Sequence, residues 1–360
     1  MDSIKNRRIE ILLEEFRNKN IYLYGAGTRG RVALENLNHL GLGNNIVGYI
    51  DDVSQGDGGM YCDKQVWTIR DVCQSGDLNA IFIISTYAVS EMCCKLMKNN
   101  IPSERIYFLP ELLVDDIDIN IFRNNKDKIR KVYEDLEDFL SKYIYKSLFD
   151  VYLNGNIGIL SRTKGDLQYF PIGNSAVAIQ EFLLLENECF IDCGAFDGDT
   201  IKSFKNVTGD KYSKIWAFEP ESNNFRRLSD YVNKENDARI KIIKGGVYNE
   251  DNVMSFCSDR GTSSTLNNNG NDSIEVYKMD SLINERVSFI KMDIEGSEKE
   301  ALLGAQRIIS ECKPKLAICI YHKIEDLWEI PLLIKTIRPD YHIYIRNYKD
   351  RVDETVCYAI

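Results

Sequence analysis

The chain predicts an α/β protein made of two Rossmann-like units in series, the second closed by a terminal β-hairpin. Three observations carry that expectation. At residues 21–40 and again at residues 190–204, an apolar strand runs into a glycine-containing turn and then a helix-compatible stretch. In both places a second strand follows and ends on an acid, Asp51 in the first and Glu219 in the second, the order of a nucleotide-binding half-fold. Residues 341–348 and 354–360 are two strand-like runs separated by a charged turn, the pattern of a hairpin.

In the first unit, Ile21-Tyr-Leu-Tyr is a strand, Gly25-Ala-Gly-Thr-Arg-Gly30 is a G-x-G-x-x-G turn and residues 31–40 suit a helix. Ile46-Val-Gly-Tyr-Ile then leads to Asp51 and Asp52, residues 80–85 form a third strand followed by a helix through Leu96, and residues 105–109 close the unit before Pro110. Glycines let the backbone turn tightly under a phosphate, and an acid at this offset suits a ribose. Gly25, Gly27, Gly30 and Asp51 are therefore candidates for a second nucleotide site. The pattern also looks like the N-terminal nucleotide-sugar-binding domain of some sugar acyltransferases, and a dinucleotide site and a structural or dimerising domain stay open beside it. No Tyr-x-x-x-Lys pair follows in this third of the chain, which argues against a complete short-chain dehydrogenase.

We expect this domain at residues 1–112, a helical linker at 113–150 and the second domain at 151–360. In the linker, Ile129, Val132, Tyr133, Leu136, Leu140 and Tyr143 recur at helical spacing, predicting one amphipathic helix over residues 126–145 that packs on a domain or on a second copy of the chain. Gln168 and Tyr169 precede the next strand, where they are candidates for a lid over a ligand.

Residues 190–200 read Phe-Ile-Asp-Cys-Gly-Ala-Phe-Asp-Gly-Asp-Thr. Gly194 and Gly198 let the backbone pass under a nucleoside, and Glu219 at the end of the next strand can accept hydrogen bonds from ribose hydroxyls. A dinucleotide site keeps three glycines to bring a pyrophosphate onto the helix N-terminus. Here Asp192 stands before the first glycine, where it would repel a pyrophosphate yet suits the ammonium and sulfonium of S-adenosylmethionine (SAM).

Taken together, Ile191-Asp-Cys-Gly-Ala-Phe-Asp-Gly-Asp-Thr, Phe218-Glu-Pro-Glu, Ile290-Lys-Met-Asp-Ile-Glu-Gly-Ser-Glu and Ile320-Tyr-His-Lys resemble the FkbM family of SAM-dependent O-methyltransferases over about residues 150–360. The resemblance implies a Rossmann-like methyltransferase fold, SAM as donor and a hydroxyl of a sugar, glycan precursor or glycosylated product as acceptor. It also implies a last strand inserted antiparallel into an otherwise parallel sheet. The cofactor set expected on it is Asp192, Gly194, Ala195, Gly198, Asp199, Thr200, Glu219 and Asp293. Two other classes stay open: an NAD(P)-dependent sugar-nucleotide oxidoreductase or epimerase using the first glycine turn, and a non-enzymatic nucleotide-sensing scaffold.

Methyl transfer to an alcohol benefits from a general base. His322 ends the apolar run 316–321 and is the first candidate, with Asp293 and Glu295 able to orient it or the acceptor, and with Glu295 alternatively capping the helix near Ser297. Two extra strands flank the polar loop 259–272, where Ser263, Ser264 and Asn267 are candidates to bind a polyhydroxylated acceptor. The 3 histidines have no metal-pair spacing, so no metal is expected, although Asp293 and Glu295 leave a Mg²⁺-assisted variant open.

Composition narrows the rest. A net charge of −10 over 360 residues disfavours nucleic acid as partner. The 10 cysteines include no C-x-x-C and read as reduced thiols. No stretch has the apolar length of a membrane span or a signal-peptide core, so the expected setting is cytoplasmic.

Overall fold

The computed structural model describes residues 13–52, 59–77, 79–86, 88–108, 120–158, 160, 163, 165, 167–173, 177–257, 265–266, 272–349 and 351–360. It divides into two compact units. Unit 1 comprises Met1–Lys126, Tyr143–Lys164 and Lys349–Val352, and unit 2 comprises Asp127–Lys142, Gly165–Tyr348 and Asp353–Ile360.

Unit 1 holds strands β1 (Ile21–Tyr24), β2 (Ile46–Ile50), β3 (Met60–Tyr61), β4 (Lys64–Trp67), β5 (Ile81–Ile84) and β6 (Ile106–Phe108). They form one sheet in the order β3-β4-β2-β1-β5-β6, parallel except for β3. The central β1 and β5 are buried at every residue, which is why they read as unbroken apolar runs rather than alternating ones. The helix Thr28–His39 lays Ala33, Leu34 and Leu37 on the sheet. Its approach needs Gly30, where a Cβ would run into the carbonyl oxygen of Gly25. Strands β3 and β4 escaped the sequence reading, being short, with Lys64 and Gln65 half-buried on β4 beside the edge strand β3.

Unit 2 holds β7 (Glu188–Cys193), β8 (Tyr212–Glu219), β9 (Ile240–Lys244), β10 (Gly246–Tyr248), β11 (Asn252–Cys257), β12 (Thr265–Leu266), β13 (Asp272–Lys278), β14 (Phe289–Met292), β15 (Lys315–Cys319), β16 (Ile343–Asn347) and β17 (Thr355–Ala359). Seven of them make a sheet ordered β16-β17-β15-β14-β7-β8-β9, and β10 to β13 make a separate small sheet. The expected hairpin is present. β17 lies antiparallel between β15 and β16, completing an otherwise parallel sheet. Strand order reverses between β7 and β14, so their carboxyl ends open a crevice of the kind where α/β proteins bind ligands. Phe190 on β7 stacks on Phe204 at 4.5 Å and on Phe289 at 4.8 Å, with Phe182 edge-on to Phe289 at 5.4 Å. Such pairs add about 0.5–1.5 kcal/mol each beyond area burial, anchoring the strands that carry the site.

The linker differs from the expectation of one separate helix. Helices run Lys126–Asp135 and Phe139–Asn154, broken where Leu136 bridges Ile343 and the Glu137 N–H donates to the Ile343 carbonyl. The buried Arg346 then holds the second helix's start, donating to Asp138 at 2.6 Å and Ser141 at 2.9 Å. Those polar anchors assign residues 127–142 to unit 2, whereas residues 143–164 belong to unit 1. Among the described residues the cysteines are free thiols, Cys93, Cys189 and Cys319 being buried, and no helix is long and apolar enough to cross a membrane.

Candidate active site

The glycine turn is fastened by its own backbone. The N–H groups of Gly194 and Ala195 both donate to the Phe218 carbonyl at 3.0 Å, and Gly198 donates to Ala195 at 2.8 Å. Gly194 has φ +80°, and a Cβ there would collide with the Asp293 carbonyl, so both conformation and space demand glycine. Gly198, also left-handed, precedes the helix Asp199–Thr208. At the first turn of that helix the exposed Asp199 accepts the Thr200 N–H at 2.7 Å.

Glu219 closes β8 at 5% exposure. One of its oxygens accepts the Phe196 N–H at 2.9 Å and the other the Glu221 N–H at 2.8 Å. The Asn224 side chain also hydrogen-bonds the group, so of the four lone pairs of the carboxylate one remains for a ribose hydroxyl. Burial pushes the Glu219 carboxyl up to about 7, against the pull of those two N–H donors.

Asp192 is placed differently from the expected cofactor contact. It is fully buried and paired with Lys291 at 3.1 Å, the two standing opposite each other on β7 and β14. Lys291 also donates to the Gly194 carbonyl at 2.7 Å. Burial alone would lower the Lys291 ammonium, but the carboxylates of Asp192 and Asp293 outweigh it and keep it charged. The pair thus braces the glycine turn from beneath.

The second cluster sits beyond β14 and β15. Asp293 accepts the Tyr169 hydroxyl at 2.7 Å and the Tyr321 hydroxyl at 3.2 Å, and lies 3.4 Å from His322 Nε2. Burial would raise its carboxyl, but Lys291, His322 and Tyr169 hold it below its ordinary value. Glu295 Oε2 lies 3.5 Å from the same Nε2, and Glu298 Oε1 lies 2.9 Å from Nδ1. Burial works against charging His322, yet Glu298, Asp293 and Glu295 raise it to about 9. These acids favour the charged ring at the residue expected to act as general base.

Glu295 is 29% exposed at its side chain, against 8% for His322 and none for Glu298. Burial raises its carboxyl to about 7. Its φ is +55°, an uncommon conformation for a residue with a Cβ and one that clusters at functional sites. It does not cap the helix Glu298–Leu303, whose preceding Ser297 supplies no side-chain cap either. Glu298 instead accepts the Ile294 N–H at 2.9 Å.

Of the other expected residues, Tyr169 joins the cluster, and Gln168 donates to the Tyr169 oxygen at 2.9 Å and to Glu354. Ser263, Ser264 and Asn267 lie outside the described residues. In unit 1 the helix begins after Gly27, and Asp51 accepts the Ala26 N–H at 3.0 Å. Sequence reading missed Lys291, Tyr321 and Glu298. Lys291 had a signal, a lone cation in an apolar strand, and Glu298 ends the quoted acidic motif.

The sheet order, the antiparallel insertion of β17 and the acid-glycine turn at the strand-order reversal define a SAM-dependent methyltransferase. Within that class, residues 192–349 match the methyltransferase FkbM domain, and this chain is a methyltransferase carrying that domain. The methyltransferase FkbM of Methylobacillus flagellatus KT is similar over 98% of this chain and 93% of its own, at 22% identity and a TM-score of 0.64, a likeness of fold. An rRNA methylase from Streptococcus thermophilus matches over 48% of this chain and 85% of its own, at 13% identity and a TM-score of 0.30. Aeropyrum pernix fibrillarin with bound SAM matches over 49% and 69%, at 13% identity and a TM-score of 0.33. These last two are too distant to argue from. No curated protein sequence matches the chain.

Proposed function

We propose that this methyltransferase modifies a hydroxyl of a sugar, glycan precursor or glycosylated product. The observation that supports it best is the convergence of Tyr169, Tyr321, His322 and Glu295 around Asp293. Such a set of donors and acceptors can orient a polyhydroxylated acceptor, where an apolar amine or thiol site would be left with unpaired polar groups.

The cofactor fits the chain's own groups. Glu219 would accept a ribose hydroxyl beside its present donors, and the turn at Gly194, Ala195 and Gly198 would let the backbone lie against the nucleoside. Asp192 acts through Lys291 to hold that turn. When bound, SAM supplies an electrophilic methyl on its sulfonium. Asp293 and the two tyrosines align the acceptor, a positioning task worth several kcal/mol of barrier. Glu295, the most exposed acid beside His322, takes the hydroxyl proton as the new O–C bond forms and the S–C bond breaks. His322, already charged, positions Glu295 and Asp293. Screening sugar and nucleotide-sugar acceptors with methyl-labelled SAM tests this reading. Methylation confined to amines or thiols would overturn the hydroxyl assignment.

For unit 1 we favour a nucleotide or nucleotide-sugar ligand. Supporting this, Asp51 braces the glycine turn through Ala26 as Glu219 braces its own through Phe196. Thermal shift of the full chain and of its Gly27→Asp variant, against UDP-sugars and NAD, tests it. Stabilisation by NAD with substrate-dependent reduction would favour redox chemistry, and no shift with any ligand a structural unit.

A further inference from the structure

We propose that Asp293, Glu298 and His322 form a binding site for one divalent transition-metal ion. One ligand atom from each lies within 4.8 Å of the other two. An ion about 2.0–2.2 Å from each ligand needs ligands roughly 3–4 Å apart, so the side chains close by at most about 1–2 Å. All three stand on well-anchored backbone. Asp293 follows β14, Glu298 opens the helix Glu298–Leu303, and His322 follows β15. The left-handed residues Glu295 and Gly296 fold the chain back so that Glu298 reaches the Ile294 N–H.

Independent of the cluster's composition, Glu298 is fully buried and its Oε2 has no hydrogen-bond partner. Leaving a buried carboxylate oxygen unsatisfied is costly, and such an atom in a folded protein calls for an ion or another partner. The surrounding charge points the same way. Asp326, 4% exposed, lies close enough for Glu298 to raise its carboxyl further, and Glu295 flanks the ring. Of the nearby cations, Lys291 is engaged with Asp192, and Lys323 donates to the Gly296 carbonyl. The carboxyl groups of Asp293, Glu295, Glu298 and Asp326 thus gather at this strand end with His322.

The donor set narrows the ion. Two carboxylates and one imidazole suit Mn²⁺, Fe²⁺, Co²⁺ or Zn²⁺, whereas Mg²⁺ and Ca²⁺ prefer oxygen alone and Cu(I) prefers sulfur. Resting on the hydroxyl-methylation reading above, the ion would also acidify a coordinated acceptor hydroxyl, with Glu295 beside it to take the proton. The histidine spacing along the chain gave no hint of this, because the ligands meet only across two strand ends.

The test uses the full chain, stripped with chelator and titrated with Mn²⁺ alone, followed by electron paramagnetic resonance and by calorimetry in two buffers of different ionisation enthalpy. We expect one Mn²⁺ per chain and release of about one proton at neutral pH. Affinity should fall at least about tenfold in Glu298→Gln and in His322→Gln, with SAM affinity measured separately as the control for folding. Glu295→Gln should keep the ion. A wild-type chain that binds neither Mn²⁺ nor Zn²⁺, or variants that bind Mn²⁺ as the wild type does, would overturn the site. These readouts need no acceptor, so failure of the hydroxyl reading would leave them untouched.

Discussion

In unit 1 the acid after β2, Asp51, accepts the N–H of Ala26 at 3.0 Å, and in unit 2 the acid ending β8, Glu219, accepts the N–H of Phe196 at 2.9 Å. Each glycine turn is thus tied to the acid of the neighbouring strand. What differs is the strand on the other side. β5 runs on into Ser85, whose hydroxyl donates to the Tyr24 and Gly25 carbonyls. β14 carries Lys291 beneath the turn and delivers Asp293 to a cluster of tyrosines, acids and a histidine. The two glycine turns are fastened alike, and the strand ends beside them differ.

The sharpest way to break that contrast is to remove the brace. Lys291→Met strands the buried Asp192 charge and should destabilise the protein by about 3–5 kcal/mol, with Asp192→Asn in the same chain recovering most of the loss, read from denaturant melts. Equal melts for single and double variants would show that the pair does not couple.

Next in size is the chemistry at the strand end. Glu295→Gln should lower turnover by about 10²–10⁴ with SAM affinity retained, while substitution of Ser85 in unit 1 should leave turnover alone. Single-turnover kinetics with labelled SAM separate the two.

A smaller effect is expected from the cradle. Glu219→Ala should weaken SAM about tenfold or more, the loss of hydrogen bonds to a charged acceptor worth roughly 1.5–3 kcal/mol. Glu219 is raised to about 7, and the ribose needs the ionised form. Wild-type affinity should therefore be full above that pH and fall as pH drops through it, by about tenfold one unit below, and Glu219→Gln should flatten the difference. Calorimetry across pH checks the sign.

The smallest effect belongs to unit 1. Asp51→Ala removes the acceptor for Ala26 and should cost about 1 kcal/mol of stability while SAM affinity stays unchanged. A change in SAM affinity would mean that the two cradles are not independent.

The architecture was legible where periodicity and glycine spacing act locally. The strands of both half-folds other than β3 and β4, the hairpin and the place of Glu219 at the end of β8 were read from runs of a few residues. Lys291 was overlooked because its meaning depends on register, since it faces Asp192 only once β7 and β14 pair. The setting of His322 is built by three carboxylates, two of which precede it by more than two dozen residues. The linker helix broke because Leu136 found a partner on β16, which no one-dimensional pattern shows.

The chain passes between the two units repeatedly, since residues 143–164 and 349–352 return to unit 1 after unit 2 has begun. The returning segment is no ornament: Asn156 bridges Tyr107, and the Gly158 N–H donates to the Ile106 carbonyl, covering the outer edge of β6. A fragment ending before residue 120 would leave that edge bare and prone to pair with another chain. Neither unit can then be lifted out by a single cut, and gene-level shuffling that treats them as beads on a string would inherit a half-finished sheet.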